Sequence, residues 1–353
     1  MTKSKRRRRS YKKMRIIVLV HEDLVPPATL DGYTEKEILE WKSEFDVITT
    51  LREMGHEVRP LGVSDDLGKI RKEIEQWKPH IAFNMLEEFH GIALYDQHVV
   101  SYLELLRQPY TGCNPRGLML AHDKALCKQI LAYHRILTPK FVVYPMKRTV
   151  KPVKRLSYPL VVKSVSEEAS LGISQASIVT SDDKLKDRVE FVHQHVQSDA
   201  LVEEYIEGRE LYVGVLGNQR LQTLPIWEMQ FTKSGDRVPL IATAKVKWDY
   251  EYQQKLGVQT ALADALPDGV ESAVLKQCAR TYRALFLTGY ARIDLRLAGD
   301  GRAYVLEANP NPNLSYGEDL AESAEAVGIG YDSLLHRIIT LGRSYKAAWR
   351  TET

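Results

Sequence analysis

Residues 292–311 read RIDLRLAGDGRAYVLEANPN. Two alternating apolar runs flank Asp300-Gly301, the dipeptide that most favours a two-residue type I′ hairpin turn. A turn there pairs Arg292 with Asn309 and Asp294 with Glu307 across an antiparallel ladder. Successive side chains of a strand take opposite faces. Ile293, Leu295 and Leu297 therefore share one face with Tyr304, Leu306 and Ala308, and Arg292, Asp294 and Arg296 share the other with Val305, Glu307 and Asn309. Like charges directly opposite destabilise a sheet, so Asp294 facing Glu307 demands a counter-charge. Two carboxylates and an amide oxygen are hard donors of the kind Mg²⁺ takes, with phosphates completing its shell. A merely solvated polar face leaves the opposition uncompensated. The hairpin is therefore read as a metal site, and Pro310–Asn313 (PNPN) as its rigid exit.

Outward from the hairpin, the first third of the chain alternates strand and helix. Strand patterns at 15–20, 56–63 and 80–86 are separated by helical periodicity over 35–54, stopped by Gly55, and over 69–77. Such alternation predicts a parallel, doubly wound sheet. From 118 the character changes. A helix over 118–134 carries Lys124 and Lys128, and strands follow at 140–145 and 158–164, the second ending near Lys163. A polar loop leads to a strand at 175–180, a helix over 182–196 and a strand at 200–206. The last third is β-rich, at 209–216, 220–229 and 238–246. A helix over 268–288 precedes the hairpin, and another near 331–341 closes the chain.

Three further features carry chemistry. Lys163 ends an apolar strand and opens a loop containing Ser170-Leu171-Gly172, a cation beside free backbone N–H groups that suits phosphate. No P-loop motif accompanies it. Lys124, on a helix, reads alone as an ordinary exposed lysine. LVEEYIEGREL (201–211) places four acids around a strand, either a sheet edge protected by charge or an edge offering backbone groups to a base and an acid to ribose hydroxyls.

Composition limits the alternatives. The chain has 353 residues, room for two or three domains. No run of about 18 apolar residues provides a membrane span. The net charge of +3 hides an asymmetry: residues 1–13 hold eight Lys and Arg and no acid, leaving 41 basic against 46 acidic residues in the body. The tail is read as a solvated extension, the part through which nucleic acid or another anionic partner would be met. It lacks the features of a secretory signal. Three widely spaced cysteines, Cys113, Cys127 and Cys278, point to reduced thiols and a cytoplasmic setting rather than a disulfide framework or zinc site.

Taken together, Lys124, Lys163 with its loop, Glu203 to Glu210 and the Arg292/Asp294/Glu307/Asn309 hairpin resemble the ATP-grasp superfamily, and within it the D-alanine–D-alanine ligases. FNML (83–86) and PYTGCNPRGLMLAHDKALCKQIL (109–131) are similar to that family's FN-x-LHG, PYTG and DK…K segments, and AVGIGYDSLLHRII (326–339) to its closing helix. The resemblance covers roughly residues 14–342. It implies an α/β chain, with an α+β C-terminal half, in which an ATP-grasp fold follows a Rossmann-like parallel-sheet domain. The tail would be 1–13, the Rossmann-like domain 14–117, the central ATP-grasp lobe 118–207 and the C-terminal lobe with the metal site 208–345.

The resemblance also implies roles. Lys124 and Lys163 would neutralise the phosphates of ATP, with Ser170 and Gly172 in the loop closing over the γ-phosphate. Glu203 would contact the adenine amino group, the backbone of Glu204 and Ile206 would complete the hinge, and Glu210 would bind the ribose. Asp294, Glu307 and Asn309 would bind two Mg²⁺ ions, Mn²⁺ being an alternative, and Arg292 would stabilise the oxyanion of the reacting carboxyl. The implied activity is ATP-dependent joining of a carboxylate to an amine through an acylphosphate, on amino acids or small peptides, by an enzyme that the related ligases suggest is a homodimer.

Departures gather on the substrate side. The family's E-G-S-S-V-G loop becomes Glu167-Glu168-Ala169-Ser170-Leu171-Gly172. The Gly-rich loop supplying a Glu to the substrate ammonium becomes HEDLVPP, with His21, Glu22 and Asp23 as candidate replacements. G-E-D-G becomes HGIALYDQ (90–97), and T-x-P-G-x-T becomes Pro310 to Ser315, with Asn311 and Asn313 as candidate substrate contacts. The Y-x-x-K loop carries Gln253 at its Lys position and Lys255 two residues on. With the ATP and metal set intact, these departures argue for a substrate other than D-alanine. The competing reading is a nucleotide-binding scaffold or regulator without ligase turnover, against which the retained Arg292 counts.

Overall fold

Ile16 to Val20 are each fully buried, as a strand covered on both faces requires. In a computed structural model, which describes residues 11–166, 174–231 and 257–350, this run is the middle strand β1 (Arg15–His21) of a parallel sheet. It lies between β2 (Glu57–Val63) and β3 (Ile81–Asn84). Its alternating residues serve two cores. Ile17 and Leu19 pack with Ile70 of α3 (Leu67–Trp77) and with Val99, Val100 and Leu103 of α4 (Asp96–Leu105). On the other face, Ile16, Val18 and Val20 pack with Val47, Ile48 and Leu51 of α2 (Lys42–Glu53) and with the closing helix, through Leu334, Leu335, Ile338 and Ile339. The C-terminal helix thereby buries its apolar face on the first domain. Tyr11, counted to the tail from the sequence, already bonds that helix, its hydroxyl donating to Asp332 Oδ2 at 3.0 Å.

Two expected helices are each broken once. The 35–54 helix divides at Trp41 into α1 (Glu35–Glu40) and α2, with Thr34 and Glu37 forming a capping box at its start. The 118–134 helix is two helices, α5 (Pro115–His122) and α6 (Lys124–Tyr133). Between them Asp123 leaves helical geometry, and its Oδ1 accepts the Leu126 N–H at 2.8 Å. An aspartate that satisfies the first turn of a new helix competes with continuation of the old one. The break sets Lys124 at the first position of α6.

The central lobe is a four-stranded antiparallel sheet in the order β4 (Phe141–Tyr144), β7 (Ala200–Glu204), β5 (Leu160–Ser164), β6 (Ile178–Val179), covered on one face by α7 (Asp182–Phe191). The strand carrying Glu203 is thus an interior strand and not an edge, because β4 closes it on the far side. The last lobe is a five-stranded sheet ordered β10 (Val258–Leu262), β9 (Leu221–Phe231), β8 (Arg209–Gly217), β11 (Tyr290–Leu297), β12 (Ala303–Pro310). It packs with α8 (Val270–Ala284) and α9 (Asp319–Ala326), and α10 (Tyr331–Ser344) ends the fold. The expected strand at 238–246 lies outside the described residues.

The hairpin has the expected pairing at the site but not the expected turn. Ala298 N–H donates to Arg302 O at 2.9 Å, and Gly301 N–H to Ala298 O at 3.0 Å, with Gly301 at φ +81°. This is a three-residue loop with glycine in the left-handed position, one residue out of register with a two-residue turn. A bulge at Leu306 restores the register: Leu295 faces Val305, yet Asp294 faces Glu307 and Arg292 faces Asn309. Val305 consequently lies in the core with Ala303 and Ala308, not on the polar face where unbroken alternation places it.

One close approach fixes α10. A Cβ on Gly342 would lie 2.1 Å from the carbonyl oxygen of Tyr110, main chain that cannot swing aside. Gly342→Ala is expected to cost about 1–3 kcal/mol, read as a lower urea midpoint at unchanged m-value. A variant as stable as the parent would show that α10 can shift on the first domain.

Candidate functional site

Alternation along β11 turns Arg292, Asp294 and Arg296 to one face, and the ladders on both sides complete three rows. Asp294 lies between Tyr212 on β8 and Glu307 on β12, Arg292 is paired with Asn309, and Arg296 lies between Glu210 and Tyr304. Arg292 grips Asp294 with two bonds, Nε to Oδ1 at 2.7 Å and Nη2 to Oδ2 at 3.0 Å. Its Nη1 reaches Asp319 Oδ2 at 3.4 Å, and its guanidinium lies 4.8 Å from the centre of the Tyr212 ring. Burial works against this charge, but Asp294 and Asp319 more than offset it and hold the arginine's pKa above its ordinary value. The facing carboxylates are therefore compensated within the protein. Arg292, two residues along the same face, neutralises Asp294, while Lys124 Nζ lies 3.9 Å from Glu307 Oε2.

Lys124 comes to Glu307 because its own N–H donates to Val165 O at 3.1 Å, tying the start of α6 to the end of β5. One turn along α6, the fully buried Lys128 places its Nζ 2.7 Å from Glu203 Oε2 and 2.8 Å from Thr138 Oγ1. From β5, Lys163 Nζ lies 2.6 Å from Glu203 Oε1. Glu203, only 2% exposed, is thus held between two ammonium groups. Desolvation alone would raise its pKa, but Lys128 and Lys163 bring it below the ordinary carboxylate value. Burial likewise opposes charge on Lys163, and Glu203 with Glu307 and Glu210 holds its pKa up. Glu307 acts on Lys163 from the neighbouring sheet, so Lys124 and Lys163 lie on the side of the central lobe that meets the hairpin acids.

The remaining expected residues are placed as follows. Glu210 gives one oxygen to Arg296 Nη2 at 2.6 Å and accepts from the Tyr212 hydroxyl at 3.0 Å. The Glu204 N–H is taken by Lys140 O at 3.0 Å, whereas the Ile206 N–H has no partner among the described residues. Glu22 lies away from these groups, with Lys69 Nζ at 3.1 Å; a bond from Ser64, then Lys69, lowers its pKa. Asn311 Oδ1 accepts the Cys113 N–H at 2.8 Å, and Asn313 Oδ1 the Ser315 N–H at 2.8 Å, so both oxygens shape the loop. Ser170, Gly172 and Lys255 lie outside the described residues, as do the altered phosphate loop and Gln253. Cys113, Cys127 and Cys278 are free and buried.

Three site residues escape sequence reasoning. Lys128 is four residues from Lys124 on the same helical face, a signal that was available. Arg296 follows from strand alternation, but its use by Glu210 does not. Asp319 comes from a helix that no local signal links to Arg292.

The donor chemistry fits a hard divalent cation. Asp294 and Glu307 offer carboxylate oxygens and Asn309 an amide oxygen; the Asn309 Nδ2, buried without a hydrogen-bond partner among the described residues, is an N–H donor and takes no part in binding a cation. Both Asp294 oxygens face Arg292, so a cation there shares or displaces that contact. No described helix is long and apolar enough to cross a membrane.

Residues 128–340 match the family described as D-ala D-ala ligase C-terminus. An uncharacterized protein, y4sG of Sinorhizobium fredii, is 31% identical, covering 83% of this chain and 85% of its own length. The D-alanine–D-alanine ligase of Syntrophotalea carbinolica is 33% identical, covering 82% and 86% respectively. Among solved structures, the D-alanine–D-alanine ligase from Bacillus anthracis complexed with ATP superimposes with a TM-score of 0.71 at 26% identity, over 96% of this chain and 99% of that one.

Proposed function

The chain belongs to the D-alanine–D-alanine ligase family of ATP-dependent carboxylate–amine ligases, and from that premise we propose that it joins the carboxylate of one small amino-acid or peptide substrate to the amine of another. The observation that carries this reading is the Lys124 ammonium 3.9 Å from the carboxylate of Glu307, whose charge also acts on Lys163, beside the Arg292–Asp294 pair. Two cations from one lobe and two acids from the other are what a phosphoryl donor and its counter-ion need.

A carboxylate is a poor electrophile. One of its oxygens attacks the γ-phosphorus of ATP, and ADP leaves. The amine then attacks the acyl carbon, the C–O bond to phosphate breaks, and the nitrogen releases a proton. Lys124 and Lys163 balance the phosphate charge, and Arg292 faces the oxyanion formed at the acyl carbon. Glu203, with both oxygens on lysines, positions those cations; an adenine amino group would have to share it. The Ile206 N–H is the hinge donor left for a base, and Glu210, braced by Arg296 and Tyr212, is the acid for the ribose. Asp294, Glu307 and Asn309 would hold Mg²⁺, two ions by resemblance, which supplies positive charge at the phosphates when bound. The site would have to exclude water to protect the acylphosphate.

The substrate is proposed not to be the D-alanine pair that names the relatives. Asn313 lines the substrate side where the family has a glycine, and Glu22, at the ammonium-binding position, is turned to Lys69. Phosphate release with ATP, Mg²⁺ and panels of amino acids and dipeptides tests both statements. Release with one acid–amine combination, and at most background with D-alanine alone, is expected. Silence across the panels would end the ligase reading, and full activity with D-alanine would end the substrate proposal.

A further inference from the structure

Arg292 stands between two carboxylates on unequal terms. Asp294, two residues along β11, takes its Nε and Nη2 at 2.7 and 3.0 Å. Asp319, the first residue of α9, receives Nη1 through Oδ2 at 3.4 Å, a long contact. Its other oxygen, Oδ1, is buried and has no hydrogen-bond partner among the described residues. A buried carboxylate oxygen without a donor is unfavourable, and Asp319 is only 8% exposed.

A glycine brings this second acid to the arginine. Gly214 on β8 lies directly opposite Arg292. A Cβ there would lie 2.6 Å from Leu320 Cδ1 and 2.8 Å from Leu224 Cδ1. The missing side chain lets Leu320 of α9 seat against the sheet with Leu216 and Leu224. Asp319, one residue earlier, is set beside the guanidinium by that packing.

The two contacts of Arg292 are interchangeable. A guanidinium is a planar fork of five N–H donors and can receive a carboxylate along its side or its end. Nη1 already touches Asp319, so a small turn exchanges one acid for the other. The Tyr212 ring, 4.8 Å from the guanidinium carbon, supports the cation from one side. A divalent cation needs the Asp294 oxygens that Arg292 holds, and it claims Glu307 as well. Arg292 then needs another anion, because a buried charge that loses its partner is costly.

We propose that Asp319 is a positioning residue that receives Arg292 when a divalent cation takes Asp294, so that filling the cation site and releasing the arginine toward the acyl centre are one coupled event. This rests on the reading of Asp294 and Glu307 as cation ligands.

The test measures binding and not turnover. Mn²⁺ is titrated into the full chain with ADP present, and uptake is read from the loss of the free-ion electron paramagnetic resonance signal. Asp319→Asn, which keeps the shape, is expected to weaken Mn²⁺ binding by about tenfold or more. In an Arg292→Met background the same substitution should change it by less than about twofold, since no arginine is left to receive. Asp319→Glu, which keeps the charge, should restore most of the affinity; binding as weak as that of Asp319→Asn would count against the handover. An equal loss in both arginine backgrounds would make Asp319 a distant field charge, and no loss in either would leave it without this role. Each of those results overturns the handover alone. No Mn²⁺ uptake by the parent, or uptake by Asp294→Asn equal to the parent's, defeats the cation reading and the handover with it.

Discussion

Glu307→Gln is expected to lower phosphate release by about 10²–10³-fold or more, the scale seen when one preorganised electrostatic contact to a reacting group is removed. The substitution keeps the side chain's shape and removes a charge that three groups feel. Lys124 lies 3.9 Å away, Lys163 draws part of its raised pKa from Glu307, and the site would lose one of its two hairpin carboxylates for a divalent cation. The folded state should change little, because the Lys124–Glu307 contact is long and Glu307 is partly exposed. Pairs of that kind contribute at most about 1 kcal/mol. Steady-state phosphate release beside a thermal melt separates the two effects. A variant turning over at the parental rate would sink the metal assignment, and one that melts far below the parent would instead make Glu307 a structural residue.

Glu203→Leu should have the largest effect on stability. It leaves Lys128 and Lys163 facing one another across a buried space, with no anion between them. Breaking a buried ion network by removing one partner costs about 3–5 kcal/mol, because the charge left behind has lost its compensation. Adding Lys128→Met should recover part of the loss, since one of the two stranded charges is then gone. The pH dependence has a definite sign. The folded pKa of Glu203 lies below its ordinary value of 4.5, held there against burial by the two lysines. Its contribution is therefore complete above the unfolded value and is lost as pH falls through the folded one. The gap in stability between parent and variant should narrow on acidification below about pH 4.5. Denaturant titrations of the three proteins at neutral and acid pH measure it. Equal stability of Glu203→Leu and the parent at neutral pH would mean that the lysines find other partners.

Much of the fold is legible because local rules act within one element. The buried run Ile16–Val20, the helical stripe over 35–54 and the alternation in β11 each carry their periodicity in neighbouring residues. The errors have physical causes. Asp123 can continue a helix or cap the next one, and the choice depends on Val165 accepting the Lys124 N–H from another strand. The hairpin register at the site agrees with a two-residue turn only because a three-residue loop and a bulge at Leu306 offset each other. Val305 bears the consequence and enters the core.

The site divides in the same way. Strand alternation alone put Arg292, Asp294 and Arg296 on one face and set Glu307 and Asn309 against them. Their partners could not be inferred locally. Asp319 arrives from α9 to meet Arg292 on β11, Lys124 from α6 to meet Glu307 on β12, and Lys163 of β5 meets Glu203 on the adjacent strand β7. The sequence by itself determined which residues share a face, because that depends on backbone periods of two and 3.6 residues. Only the tertiary structure decided which charges meet, and it answers the opposition of Asp294 and Glu307 with Arg292 and Lys124. Burial makes each unpaired charge costly, so packing settles the pairs that local spacing leaves open.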